Sequence, residues 1–492
     1  MKYVSTREGK TGVTASQAIV RGIAPDGGLY VPETLPAIDE AFIRELCASD
    51  YRARAVKVLG LFLEEFSEAE LKDIAAASYA DNFDDAAIAP MVHLDGNTSV
   101  LELWHGPTSA FKDMALQIMP RLLTASLRKN GEKRTVSILV ATSGDTGKAA
   151  LEGFKDVPGT RIMVFYPRDG VSQIQKLQMA TQEGENVNVV AVNGNFDDCQ
   201  TGVKEIFGDS DFAAKLGERG FFLSSANSIN WGRLVPQVVY YISAYCDLMN
   251  AGRISYGDEI DFCVPTGNFG NILAGWFAKR MGLPVRRFIC ASNDNNVLTD
   301  FLNTGVYDRN RPFYLTGSPS MDILVSSNLE RLLYCVSRDA AFVADCMKKL
   351  SDTGRYEVPA EIMEVIRADF VGGFCTDAQS REEIARLWGE GYLMDTHTAV
   401  AGRVLADYRE KTGSDTPCVI VSTASPFKFG GTVLEALGVV TNEQGPALME
   451  ELTAFTGVAA PKPLAALVGK PVRFEEWVEI PAMEDAVSRF LS

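Results

Sequence analysis

From about residue 97 onward, short apolar runs alternate with longer amphipathic stretches. The runs are VSILVAT, RIMVFYP, VNVVAVNG, EIDFCVPTG, RRFICAS and PCVIVSTAS. Continuous apolar segments separated by helical lengths predict parallel strands joined by crossover helices, hence an α/β sheet buried on both faces. Residues from about 300 to 395 follow another pattern, with long helical stretches (MDILVSSNLERLLYCVS, AAFVADCMKKLSD, SREEIARLWGEGYL) and few strands, and predict a helical insertion. The first ninety or so residues combine a turn-rich opening, APDGGLYVPETLP, with helical segments. They close on an acidic, alanine-rich stretch ending DDAAIAP that predicts a domain boundary.

Composition narrows the class. At 492 residues, with 46% hydrophobic and 23% charged residues, the chain is too long for one core and reads as ordinary globular protein of two or three domains. A formal charge of -17, with no visible basic patch, argues against nucleic acid and anionic membrane surfaces as partners. Nine cysteines without a CxxC pair are expected to be buried thiols rather than disulfides or a zinc site, and no metal is expected. No apolar stretch approaches the ~20 residues of a bilayer span, and the polar N-terminus lacks the apolar core of a signal peptide, so a cytoplasmic location is expected.

Parallel sheets bind ligands where strands end and helices begin. After EIDFCVP comes TGNFGN, Thr266 to Asn271, where glycines allow consecutive N–H groups to converge on an anion at a helix N-terminus. The stretch is neither a GK[ST] P-loop nor a GxGxxG fingerprint, and it reads as a compact phosphate cup or as a plain glycine turn. After VSILV comes ATSGDTG, whose Thr142, Ser143 and Thr146 hydroxyls and Gly144 suit a carboxylate, or merely cap a helix. There Asp145 opposes a second anion unless it points away or meets an ammonium group. After PCVIV comes STASP, by itself an ordinary turn that places hydroxyls at a strand end. Finally, HGPTSAFKD surrounds Lys112 with small and apolar residues, so Lys112 is either a desolvated amine suited to Schiff-base chemistry or a solvated lysine in a first helical turn. Together, a lysine, a phosphate cup, a carboxylate loop and a strand-end hydroxyl suit pyridoxal phosphate and an amino-acid substrate.

The motifs STR (Ser5 to Arg7), DGGLYVP, HGPTSAFKD, ATSGDTG, NSINWGR (Asn227 to Arg233), VPTGNFGN, DTHTAVA and STASPFKF occur in this order. Through them nearly the whole chain resembles the longer bacterial and fungal threonine synthases, within the fold type II, tryptophan-synthase-β-like group of pyridoxal-phosphate enzymes. The resemblance implies an α/β fold with two open parallel-sheet domains, an N-terminal domain over 1–95 and a small domain over 131–230. A large cofactor domain would comprise 96–130 and 231–492, with the helical insertion. It further implies Lys112 as the Schiff-base lysine, Gly267, Asn268, Phe269, Gly270 and Asn271 around the cofactor phosphate, and Thr423 at the pyridine nitrogen. Ser143, Gly144, Asp145 and Thr146 would lie along the substrate-binding loop that receives the substrate carboxylate. Arg233, with Ser228 and Asn230, is the candidate for the substrate phosphate, against a structural salt bridge or an interface role. The implied reaction takes O-phospho-L-homoserine and water to L-threonine and phosphate in a monomer or homodimer. A phosphohomoserine lyase, a serine/threonine dehydratase and a non-catalytic metabolite-binding relative are the alternatives. His105 and His397 carry no assigned role, and Thr108 is read as a possible N-cap for the helix bearing Lys112.

Overall fold

The computed structural model describes residues 1–9, 12–169 and 171–492. The opening residues pair as antiparallel strands, Tyr3–Ser5 with Tyr30–Pro32. Helices Glu40–Cys47, Tyr51–Phe62 and Glu68–Ser78 follow, N-capped by Asp39, Asp50 and Ser67. In each, the cap side chain accepts a backbone N–H that the helix itself leaves unpaired.

All six apolar runs form strands, divided between two sheets. The larger has the order Phe370–Phe374, Val285–Ser292, Ile260–Pro265, Cys418–Ser422, Thr98–Glu102, Met91–His93, parallel throughout except for the last pair. The smaller has the order Trp477–Val478, Val187–Val192, Thr160–Pro167, Thr135–Ala141, Phe221–Ser224, with every pair parallel. Helix Pro236–Asn250 lies almost wholly buried between the N-terminal helices and the large sheet. One continuous apolar cluster therefore runs from the N-terminal region through this helix into both sheets.

Three sequence-based boundaries move. Strand Met91–His93 already belongs to the large sheet, so the N-terminal region ends before residue 95. Residues 300–395, expected to be helical, contain the antiparallel strand pair Val306–Asp308 with Arg355–Glu357 and the edge strand Phe370–Phe374. Gly372 and Gly373 obscured that edge strand by interrupting its apolar run, yet a Cβ at Gly372 would sit 3.0 Å from the Thr299 backbone and one at Gly373 2.6 Å from Val404. The last residues, expected in the large domain, return to the small one. Strand Trp477–Val478 extends the small sheet, and Met483, Val487 and Leu491 pack with Leu139, Phe165 and Val190 on its face. A two-residue strand carries too little periodicity to be read, but the sheet edge and apolar face it covers require a partner.

All nine cysteines are free, and seven are buried. Among the described residues no helix is long and apolar enough to cross a membrane.

Candidate active site

The turn bearing Lys112 is stitched to the end of strand Cys418–Ser422. Ala110 and Ala424 form an antiparallel bridge, Phe111 N–H donates to the Thr423 carbonyl at 2.8 Å, and Ser425 N–H donates to the Ser109 carbonyl at 3.1 Å. Local hydrogen bonds thus bring residues some 300 positions apart side by side. The Thr423 side chain is buried, and among the described residues its hydroxyl has no partner.

Lys112 stands at the head of the short helix Asp113–Leu116, with its side chain 9% exposed. Burial, which penalises the ammonium form, is the largest influence on its amine. Asp145 opposes that effect, Lys428 and Arg233 add to it, and the pKa falls to about 8.

Asp145 is the hub of the site. Its Oδ1 accepts from Lys428 Nζ at 2.6 Å and from Gln175 Nε2 at 2.8 Å. Its Oδ2 lies 3.5 Å from Lys112 Nζ and accepts from Ser320 Oγ at 3.2 Å. Burial pushes this carboxyl upward, but Lys428 and Lys112 outweigh it and hold Asp145 well below the usual carboxylate range. Asp145 therefore meets two ammonium groups, the condition under which it does not oppose a second anion.

Around it the SGDT turn stays open. Thr142 Oγ1 accepts the Gly144 and Gly147 N–H groups at 3.0 and 2.9 Å, while the half-buried Ser143 and Thr146 hydroxyls have no partner among the described residues. Gly144 adopts φ 137°, and a Cβ there would fall 2.4 Å from Gln175, the residue that holds Asp145.

The TGNFGN turn is built as a cup. Gly267 and Asn268 turn their carbonyls outward, where Ser326 Oγ donates to Gly267 at 2.8 Å and Asn328 donates to Asn268 through N–H at 3.1 Å and Nδ2 at 3.0 Å. Among the described residues, no protein acceptor meets the N–H groups of Gly267, Asn268, Phe269, Gly270 or Asn271. Phe269 has φ 60°, a left-handed conformation that a non-glycine residue adopts at a cost, immediately before helix Gly270–Met281. Its ring is buried against Phe370, so it offers the site only its backbone. The Asn271 side chain accepts the Tyr240 and Tyr241 hydroxyls at 2.6 and 2.7 Å, leaving its buried Nδ2 without a partner.

Arg233 is 6% exposed and donates to the Ala226 carbonyl at 2.9 Å. Among the described residues no carboxylate pairs with it, which argues against the structural salt bridge; burial pushes its pKa down to about 10. Ser228 lies beside the cup, its Cβ 3.5 Å from where a side chain on Gly270 would begin. Asn230 is a correction. It is fully buried, its amide donates to the Ile19 and Ser225 carbonyls, and its oxygen caps Gly232 N–H, so it holds the loop and has no group free for a substrate.

His105 and His397 are both engaged structurally. His397 Nδ1 lies 2.9 Å from Asp395, and Nε2 accepts the Ser320 N–H at 3.1 Å, which aims Ser320 at Asp145. His105 lies between Asp84 and Glu102 at 2.6 and 2.9 Å, stacked on Trp104. Burial would lower its pKa, but the two carboxylates raise it to about 9. Thr108 reverses its expected role. Its N–H and hydroxyl donate to Asp113, each at 2.8 Å, so this buried carboxyl, which burial pushes up to about 7, holds the turn ahead of the helix, whose N-cap is Lys112 without a side-chain cap.

Lys428, Gln175 and Ser320 are the site residues that motif reading missed. Lys428 carried the same signal as Lys112, a lone lysine among apolar residues in SPFKF, whereas Gln175 and Ser320 lie in segments without any distinguishing pattern.

Two open parallel sheets, with a buried lysine at the strand ends between an N–H cup and a hydroxyl-lined turn, define a pyridoxal-phosphate type of α/β enzyme architecture. The family model for pyridoxal-phosphate dependent enzymes matches residues 90–424. Those for the threonine synthase N terminus and the threonine synthase C-terminal region match 2–79 and 398–487. The chain belongs to the threonine synthase family. It is 40% identical over 455 residues to threonine synthase of Pseudomonas aeruginosa, covering 92% of this chain and 93% of that one. It is 43% identical over 436 residues to human threonine synthase-like 1, covering 86% of this chain and 58% of that protein; the chain thus spans about three fifths of the length of that relative. The crystal structure of PLP-bound threonine synthase from Brucella melitensis superposes with a TM-score of 0.88 at 38% identity, covering 100% of this chain and 99% of that one.

Proposed function

We propose that this chain converts O-phospho-L-homoserine and water to L-threonine and phosphate with pyridoxal phosphate as cofactor. The observation that carries the reading is the pairing of two anion sites around one buried lysine. One is the unsatisfied N–H cup at Gly267 to Asn271, and the other is the carboxylate-free guanidinium of Arg233. A cofactor phosphate and a substrate phosphate account for both.

The residues present fit the cofactor. Five backbone donors and the orphaned Asn271 Nδ2 suit its phosphate, and the Thr423 hydroxyl suits its ring nitrogen. When bound, pyridoxal phosphate supplies an electron sink for charge developing on the substrate carbons. A hydroxyl partner at the ring nitrogen does not enforce its protonation, so more of the stabilisation falls to neighbouring groups.

The remaining chemistry belongs to the chain. With its pKa near 8, a freed Lys112 amine is well matched to accept the α-proton and then a β-proton near neutral pH. The ionised Asp145, 3.5 Å away, stabilises the ammonium that results. Ser143 and Thr146, with the N–H groups of their turn, hold the substrate carboxylate at a helix N-terminus. Arg233 stabilises negative charge on the departing phosphate at the γ-carbon, which then takes up a proton to become the methyl group, after which water adds at the β-carbon.

A phosphohomoserine lyase shares every one of these groups and differs only in releasing the intermediate before water adds. A dehydratase acting on serine or threonine leaves the buried Arg233 without a purpose. Turnover of phosphohomoserine, with threonine and 2-oxobutyrate both measured, tests the reading. Wild type is expected to yield threonine, Lys112→Ala to lose activity by at least ~1000-fold, and borohydride reduction of the holoenzyme to label Lys112. Accumulation of 2-oxobutyrate without threonine would overturn the synthase assignment. Borohydride labelling elsewhere would overturn the site.

A further inference from the structure

The cup and the Arg233 loop come from distant parts of the chain, and a single buried side chain joins them. Arg331, fully buried in helix Leu329–Ser337, sends its guanidinium to two distant segments and to the cap of its own helix. Nε donates to the Tyr30 carbonyl at 3.0 Å, in the N-terminal DGGLYVP strand. Nη1 donates to the Ser228 carbonyl at 3.2 Å and Nη2 to the Ile229 carbonyl, both in the NSINWGR loop that carries Arg233. Nη1 also donates to Asn328 Oδ1, which orients that amide so that Nδ2 holds the Asn268 carbonyl at 3.0 Å and keeps the cup's N–H groups facing inward.

The residue before it anchors the same helix to the N-terminus. Glu330, 4% exposed, accepts both Nε and Nη2 of Arg7, at 2.9 and 2.8 Å, and the Thr6 hydroxyl. Arg7 is in turn set by the tight DGG turn. Asp26 accepts from Ser5 Oγ and Gly28 N–H, and a Cβ on Gly28 would lie 2.2 Å from Ser5 Oγ. The STR and DGGLYVP motifs, which hold no catalytic group, thereby acquire a physical purpose. A planar fork with several fixed donors can bridge two carbonyl-bearing segments and the cap of its own helix at once, which a lysine ammonium on a flexible stem does not reproduce.

We infer that Arg331 is a positioning residue that sets the cofactor-phosphate cup and the Arg233 loop relative to each other, with Thr6, Arg7 and Glu330 clamping its helix from the N-terminal region. The inference rests on the reading of the Gly267 to Asn271 turn as the phosphate cup. Its consequence is selective, because disturbing Arg331 weakens recognition of phosphate groups rather than of the pyridine ring.

The test compares binding of pyridoxal phosphate and of pyridoxal, which lacks the phosphate, to full-length cofactor-stripped wild type, Arg331→Lys and Arg7→Ala. In Arg331→Lys, affinity for pyridoxal phosphate is expected to fall at least tenfold with pyridoxal binding unchanged. In the reconstituted variant, KM for phosphohomoserine is expected to rise more than kcat falls. Arg7→Ala, altered at a partly exposed position, is expected to retain the fold by circular dichroism and to show the same selectivity with a smaller loss. Equal losses for both ligands, or retained discrimination in both variants, would overturn the inference. Wild type that binds the two ligands equally well would instead overturn the cup itself.

Discussion

At the scale of single residues, the site works through one carboxylate shared between two lysines. Asp145 favours the ammonium form of Lys112, and burial, Lys428 and Arg233 disfavour it. Only the neutral amine attacks an electrophile, so labelling of Lys112 in the cofactor-free protein by an amine-directed reagent should rise with pH around a midpoint near 8. Ordinary lysines in the same protein should rise about two units higher. Asp145→Asn removes the favourable charge and leaves that of Lys428, so the Lys112 midpoint should move further down. A midpoint near the ordinary lysine value would refute the desolvated amine. The same substitution leaves the fully enclosed Lys428 without its ion-pair partner and should destabilise the fold by about 3–5 kcal/mol, measurable by urea unfolding. Lys112 could be singled out from the sequence because several motifs converge on it. Its partner Lys428 could not, because a buried lysine and a solvated one look alike until the neighbours are known.

At the scale of elements, the chemistry sits in turns whose backbone is set by the strands before them and the helices after them. Three strand ends, Ala141, Pro265 and Ser422, deliver the hydroxyl turn, the cup and Thr423, and the Lys112 turn is laid against the third of them. Gly144 shows how little tolerance these turns have. Its φ of 137° and the 2.4 Å approach of Gln175 leave no room for a methyl group. Gly144→Ala should displace Gln175 from Asp145 and misplace the turn, lowering kcat/KM on the order of 100-fold. Melting should change far less than for Asp145→Asn, since no buried charge loses its counterion. Near wild-type turnover would show that the turn relaxes without consequence. The six strongest strands were legible because burial on both faces leaves long apolar runs. Phe370–Phe374 and Trp477–Val478 were not, the first because close packing demanded glycines and the second because two residues carry no period.

At the scale of the whole molecule, the last residues cross back to complete the small sheet. Removing residues 475–492 would expose the edge of strand Val187–Val192 and the face made by Leu139, Phe165 and Val190. Such a truncated chain should melt at lower temperature and aggregate, readily followed by light scattering during a thermal ramp. An unchanged melting profile would mean that the terminal strand and helix are dispensable. The N-terminal region is tied in differently, through the apolar cluster around helix Pro236–Asn250 and through Arg7, Glu330 and Arg331.

The sequence by itself determined the α/β class, the alternation that builds its strands, the turns that hold its reactive groups and, through the order of its motifs, its family. These are local properties, because periodicity, glycine geometry and hydroxyl spacing act over a few residues. The tertiary structure alone decided that Asp145 faces two ammonium groups, that Asn230 holds a loop rather than a ligand, and that Arg233 has no carboxylate partner among the described residues. It also decided that Arg331 joins its own helix to two distant segments and that the chain's end belongs to the small sheet. Each of these depends on which groups are buried together, and desolvation and hydrogen-bond pairing are fixed by neighbours in space, many of them hundreds of residues apart along the chain.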